Sequence, residues 1–285
     1  MRSEEQIITT IISVAKKDER IRAVILNGSR TNKNVVKDDF QDFDIIYLVK
    51  ELSSFENSPN WIDVFGERII LQLPNSMIID DIPVESGEEI TYLMLFKDFN
   101  RIDLNLIKVE NQKDCNDSLN KILLDKDNLF DQIVEPTDED YLVKQPSQKE
   151  FHDCCNEFWW VSTYVVKGLA RNELLYAKEM LEEPVRKMFM KMIAWYAVGE
   201  KGFSINIGKS NRFLKKHVNL SLWNSILKTY PNAEKVNIWN SLKEMAALFY
   251  EISPEVARKT GLTYDRVEAE NVRKYLQQME ERIMR

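Results

Sequence analysis

Cysteine is scarce in this 285-residue chain: Cys115, Cys154 and Cys155 are all it has. The count is odd, two are neighbours and no CxxC pair occurs, which argues against a disulfide framework and fits a reducing cytoplasm. Histidine is scarcer still, with two residues. His152 beside Cys154 and Cys155 lacks the ligand spacing of a zinc site. Basic excess is missing too. The net charge is −7, against the basic face that binding a nucleic-acid backbone needs. Such a balance suits a cationic small molecule better. No apolar run approaches the ~18 residues of a membrane span, and the charged N-terminus MRSEEQIITT lacks the apolar core of a signal peptide. No internal repeat or low-complexity tract occurs. Gly208-Lys209-Ser210 is not a P-loop, because Phe203 stands where the first glycine is required and no strand precedes it.

What the chain does have is periodicity of two kinds. Ser3 with Gln6 makes a capping box, and Ile7, Ile8, Ile11, Ile12 and Ala15 follow helical spacing, predicting a helix over 4–17. Strands are predicted over 22–27, 43–49 and 68–73. Residues 90–97 and 101–108 form a hairpin about the turn KDFNR, and a short strand or helix follows at 119–124. Pro136, Pro146 and many charges mark 136–147 as a linker. Beyond it Ser147 with Glu150 makes a second capping box, and helices are predicted over 148–172, 174–200, 210–216, 221–229, 234–251 and 265–284. The sum is an α+β protein: a mixed sheet with flanking helices over 1–140, then a helical bundle domain over 147–285.

Chemistry concentrates in LNGSRTNKNVVKDDFQDFDIIYLV, residues 26–49. Alternate strand residues share a side, so Asp42 and Asp44 project together while Phe43 faces the core. Two carboxylates this close repel unless a cation sits between them, and Mg²⁺ prefers one or two such hard donors completed by water and phosphate. Gly28-Ser29 ends the preceding strand, where a backbone without a Cβ can approach a phosphate. In RIDLNLI the apolar Ile102, Leu104 and Leu106 alternate with Arg101, Asp103 and Asn105, so Asp103 lies on a polar strand face. If that strand lies beside 43–49, three carboxylates meet at one metal site able to act on a triphosphate. A lone DxD is common in surface turns; the constellation is far more specific.

These residues resemble the nucleotidyltransferase superfamily, whose pattern is Gly-Ser, a spacer, Asp-x-Asp and a later strand acid. The chain as a whole is similar to the aminoglycoside 6-adenylyltransferases. The likeness is carried by LNGSRTN (26–32), FQDFDI (40–45), IDLNLI (102–107), LLDKD (123–127) and DCCNEFWWVSTYVVKGLARNE (153–173). It implies transfer of AMP from ATP to the 6-hydroxyl of streptomycin with release of pyrophosphate. It also implies Mg²⁺ on Asp42 and Asp44, triphosphate contacts at Ser29 and Arg30, and Asp103 as metal ligand, general base or both. The chain departs from the family pattern at Asn105, where Thr is expected, at GKSNRF (208–213), and in the loop 78–89 and the C-terminal helices. Those departures bear on the acceptor more than on the chemistry.

On a helical wheel, Phe151, Cys155, Phe158, Ser162, Val165 and Leu169 share one side of the 148–172 helix. Asp153, Glu157, Trp160, Tyr164, Lys167 and Arg171 line the other, in the order acid, acid, aromatic, aromatic, base, base. Acids and aromatic faces suit the guanidinium groups of streptomycin, and Lys167 and Arg171 suit the triphosphate. The helix dipole alone favours acids first and bases last, but two large aromatics inside a polar stripe favour a binding face. Gly168 beside the stripe allows a close approach. Trp195, Trp223, Trp239, Met188, Met190 and Met192 read as packing. Asp125-Lys126-Asp127 suits either a nucleotide neighbour or a charged turn.

The expectation is a cytoplasmic, monomeric adenylyltransferase with ATP, Mg²⁺ and a cationic aminoglycoside in a cleft between its domains, and no nucleic-acid or membrane partner. The alternatives are another aminoglycoside or a lincosamide as acceptor, or an inactive nucleotide-binding relative. An intact acid trio argues against the last.

Overall fold

A computed structural model describes residues 1–78, 88–131 and 134–284; most of the loop 78–89 lies outside them. The chain divides into two compact units, Met1–Asp140 and Tyr141–Arg285.

In the first unit, helix α1 (Glu4–Lys17) starts at the expected box, with Ser3 Oγ accepting from Gln6 N and the Gln6 side chain accepting from Ser3 N. It buries Ile7, Ile11 and Ala15. The strands are β1 (Ile21–Asn27), β2 (Phe43–Val49), β3 (Arg68–Gln72), β4 (Glu89–Phe96), β5 (Arg101–Lys108) and β6 (Lys121–Asp125), with the single turn α2 (Ser53–Glu56) after β2. A 3-10 stretch, Pro59–Phe65, leads into β3. The strands form one sheet in the order β3-β4-β5-β2-β1-β6. Every neighbouring pair is antiparallel except β2 and β5, which run parallel.

The face of the sheet packed on α1 carries Val24, Leu26, Phe43, Ile45, Tyr47 and Leu104. Burying such a side chain contributes about 1.5–3 kcal/mol each. Tyr47 is fully buried, and its hydroxyl donates to Ile11 O at 2.7 Å, tying the sheet to α1. The segment 119–124, open between strand and helix in sequence, is a strand because its residues pair with β1. In the charged turn after it, Asp127 is ion-paired with Arg22, and Asp125 accepts from the backbone of Asp127 and Phe130.

The second unit is helical. It contains α3 (Gln148–Ala170), α4 (Leu174–Met180), α5 (Arg186–Gly199), α6 (Leu220–Lys228), α7 (Lys235–Thr260) and α8 (Val267–Met284). Three expectations change. The predicted 174–200 helix is interrupted by a π-helical turn, Leu181–Val185, which absorbs Pro184. Residues 210–216 form no α-helix, only two 3-10 turns, because Gly208, Ser210 and Asn211 all have positive φ. Helix α7 runs nine residues past the predicted end at 251, carrying Pro254 inside it. Ser253, buried beside that proline, bonds its hydroxyl back to Phe249 O at 2.5 Å.

Candidate active site

The Gly-Ser motif forms a 3-10 turn, Gly28–Arg30, directly at the end of β1. Gly28 has φ of 77°, where a side chain is strained, and a Cβ there would collide with Asp44 Oδ2. The glycine is thus required twice, once by backbone conformation and once by the carboxylate against it. The turn is held from behind. Thr31 Oγ1 donates to Leu119 O at 2.6 Å and lies 2.8 Å from Gly28 O. Asn27 Nδ2 donates to Asn120 Oδ1 at 2.7 Å, and Gln41 Nε2 donates to Ser29 O at 3.2 Å.

Arg30 is largely consumed by this scaffold. Its guanidinium donates to Asp42 O at 3.0 Å, Gln41 O at 2.6 Å and Glu4 Oε2 at 3.1 Å. It also stacks over the Phe43 ring, 3.7 Å from the centroid, leaving 6% of the side chain exposed. Arg30 therefore staples the Asp-x-Asp segment to the Gly-Ser turn.

Asp42 immediately precedes β2, and Asp44 lies within it on the side opposite buried Phe43. The parallel pairing sets Asp44 directly opposite Asp103 on β5. The strand adjacency on which the three-acid expectation depended is therefore present. Full convergence is not: among the described residues, no three His, Cys, Asp or Glu side chains are grouped to hold a metal ion. The reason is visible at Asp103, both of whose oxygens are taken by Arg101, from Nε at 2.7 Å and Nη2 at 2.7 Å. Arg101 Nε also lies 3.7 Å from Asp42 Oδ2. A guanidinium thus stands among the carboxylates as a resident cation. Burial pushes the Asp42 carboxyl above its ordinary range; Arg101 and Arg30 oppose that rise and Asp103 adds to it. The donor set still suits Mg²⁺, which needs only one or two carboxylates and takes its other ligands from water and phosphate.

Sequence reasoning passed over Arg101 as a functional residue, although the signal was present. Arg101 and Asp103 obey the same i, i+2 rule that placed Asp42 beside Asp44.

On α3 the predicted faces separate as expected. Phe151, Cys155, Phe158, Ser162, Val165 and Leu169 are buried, while Asp153, Glu157, Trp160, Lys167 and Arg171 are exposed and Tyr164 is intermediate. Asp153 is ion-paired with Lys149. Trp160 is 59% exposed, donates from Nε1 to Tyr164 Oη at 2.8 Å, and meets that ring edge-on. Lys167 Nζ lies over the same tyrosine, 5.2 Å from its centroid. Trp160, Tyr164 and Lys167 therefore form one connected surface, with Glu157 one turn and Asp153 two turns before Trp160. Gly168 serves packing: a Cβ there would stand 2.9 Å from Ala177 Cβ, so the glycine lets α4 lie close on α3.

The streptomycin adenylyltransferase family model matches residues 1–279. An aminoglycoside 6-adenylyltransferase of Bacillus subtilis (strain 168) is 43% identical over 267 residues, covering 93% of each chain. Another, from Campylobacter jejuni, is 44% identical over 93% of this chain and 91% of its own. A crystal structure of an aminoglycoside 6-adenyltransferase from Bacillus subtilis aligns with 98% of this chain and 99% of its own at 37% identity, with a TM-score of 0.48.

Proposed function

The chain belongs to the streptomycin adenylyltransferase family, and on that premise we propose that it transfers AMP from ATP to the 6-hydroxyl of streptomycin. The acceptor oxygen attacks the α-phosphorus in line, the bond from that phosphorus to the bridging oxygen breaks, and pyrophosphate leaves. The observation that carries this is the register placing Asp44 opposite Asp103, with the bare backbone of Gly28 against the Asp44 carboxylate.

Gly28 and Ser29 offer the triphosphate a half-buried turn backbone and a hydroxyl. Arg30 acts through the Asp42 backbone that it holds, and its charge adds to the field felt by the phosphates. Asp42, Asp44 and Asp103 are the groups that would hold Mg²⁺. When bound, that ion neutralises charge on the transferring phosphoryl group and acidifies the attacking hydroxyl. Asp103 takes the hydroxyl's proton as base, serves as a metal ligand, or both.

On the helical unit, Asp153 and Glu157 with Trp160 and Tyr164 offer the cationic acceptor carboxylates and aromatic faces. Lys167 and Arg171 are the proposed anion-binding end of the stripe, for the phosphates of ATP. We place the enzyme as a monomer in the cytoplasm, where ATP is available.

The test is pyrophosphate release with ATP across a panel of aminoglycosides and a lincosamide, followed by locating AMP on the product. Streptomycin modified at its 6-hydroxyl is the expected result. An Asp44→Asn control should fold normally and lose roughly a hundredfold or more in turnover. Release with a lincosamide alone would move the acceptor, and ATP binding without release for any acceptor would overturn the proposal.

A further inference from the structure

We propose that Arg101 is a positioning residue for the transfer, holding the Asp103 carboxylate in a fork while its charge keeps the acid cluster gathered before a metal arrives. The inference rests on the adenylyl-transfer function proposed above.

Three observations carry it. The contact is bidentate: Nε and Nη2 each donate to a different oxygen of Asp103, both at 2.7 Å. Two parallel N–H···O bonds fix the plane of a carboxylate as well as its distance, which a single bond cannot do. The fork also leaves lone pairs on both oxygens, since a carboxylate has about four acceptor sites. Asp103 can therefore keep Arg101 and still accept a metal or a proton on its open side.

The second observation is shared reach. Arg101 Nε lies 3.7 Å from Asp42 Oδ2, and Asp44 stands opposite Asp103 on the neighbouring strand. One guanidinium thus bridges Asp103 and Asp42 and cancels one of the negative charges gathered there. The third observation is anchoring. The backbone of Arg101 lies in β5 opposite Leu95 of β4, so the fork is built on a strand, and the side chain is 43% exposed. Nothing in the hydrophobic core requires it, so its function can be tested apart from the fold.

Geometry and charge make separable predictions. Arg101→Lys keeps the charge and loses the fork, because an ammonium is a point charge without a planar pair of donors. Its kcat should fall about tenfold or more while the KM for ATP stays within about twofold. Arg101→Ala loses both, and should turn over more slowly still. With the local positive charge gone, it should also bind Mn²⁺ in the absence of ATP several-fold more tightly than the parent, as read from the free-ion electron paramagnetic resonance signal. Ethylguanidinium at millimolar concentration should restore part of its turnover. Tighter metal with slower chemistry is a combination that mere destabilisation does not produce.

Arg101→Lys at the parental rate would overturn the fork, and Arg101→Ala binding Mn²⁺ no more tightly than the parent would overturn the charge role. If the parent itself releases no pyrophosphate with any acceptor, the transfer function fails instead. The Mn²⁺ titrations then still decide the charge role of Arg101.

Discussion

A single hydrogen atom at Gly28 does what no side chain could. Its positive φ and its contact with Asp44 Oδ2 act together, so Gly28→Ala meets two penalties. The left-handed conformation costs roughly 1–2 kcal/mol, and the displaced Asp44 carboxylate should lower pyrophosphate release by roughly a hundredfold. Chemical denaturation beside initial rates checks both; a destabilised variant with parental turnover would show that Asp44 need not sit where it does. A second residue-scale prediction concerns Asp98, in the turn between β4 and β5. Arg2 donates to it from N at 3.0 Å and Nε at 2.7 Å, and Asn100 from Nδ2 at 2.9 Å. The Arg2 guanidinium holds the Asp98 carboxyl well below the usual range. A depressed folded-state value contributes stability that is present above the unfolded pKa of about 3.9 and is lost as pH falls toward the folded value. Asp98→Asn should therefore be less stable than the parent at neutral pH, by roughly 1.5 kcal/mol. The gap should close as the medium is taken below about pH 4. Melting curves at neutral and acid pH measure it, and a gap that widens in acid would contradict the assignment.

At the scale of the element, α3 is the sharpest case. If its exposed stripe binds substrates, Asp153→Asn and Glu157→Gln should raise the KM for streptomycin several-fold and leave ATP binding alone. Lys167→Met should do the reverse. If the stripe is only a dipole-matched surface, all three changes lower the melting temperature slightly and leave both affinities unchanged. Calorimetric titration with each substrate separates the cases. The buried side of this helix was legible because Phe151, Phe158 and Val165 repeat at helical spacing and tertiary packing followed that spacing. Strands β2 and β5 were legible for different reasons: the apolar residues of β5 alternate, so one-sided burial fixes the period, whereas β2 is a run of β-branched and aromatic residues whose second half is buried on both faces. Where sequence and structure part, backbone exceptions are responsible. A proline argues for a helix end, yet Pro254 sits within α7. Ser210 and Asn211 look permissive for a helix, but their positive φ values turn the chain instead. Which acids and bases pair was also hidden. The polar face of β5 spells Arg101, Asp103 and Asn105 in the sequence, but the fork between the first two appears only with side-chain geometry.

The molecule as a whole withholds its thiols from solvent. Cys115, Cys154 and Cys155 are all buried and unbridged, and burial pushes the Cys154 thiol up to about 12. The native protein should therefore react with an aromatic disulfide reagent at pH 8 at least ~100-fold more slowly than the unfolded chain, which should titrate all three. Fast labelling of any native thiol would mean that one of the two units opens readily. The single parallel pairing in the sheet has a consequence of another kind. Antiparallel neighbours such as β4 and β5 need only a tight turn and can join early, whereas β2 must wait for β5 to return across β3 and β4. The Asp44–Asp103 pairing is therefore a late event in folding, and a nascent chain that has not yet released residue 108 from the ribosome cannot have made it. On the proposed function, binding of metal-nucleotide requires β5 in place beside β2, so ligand added during refolding should draw only molecules past that step forward and leave the earlier steps at their own pace.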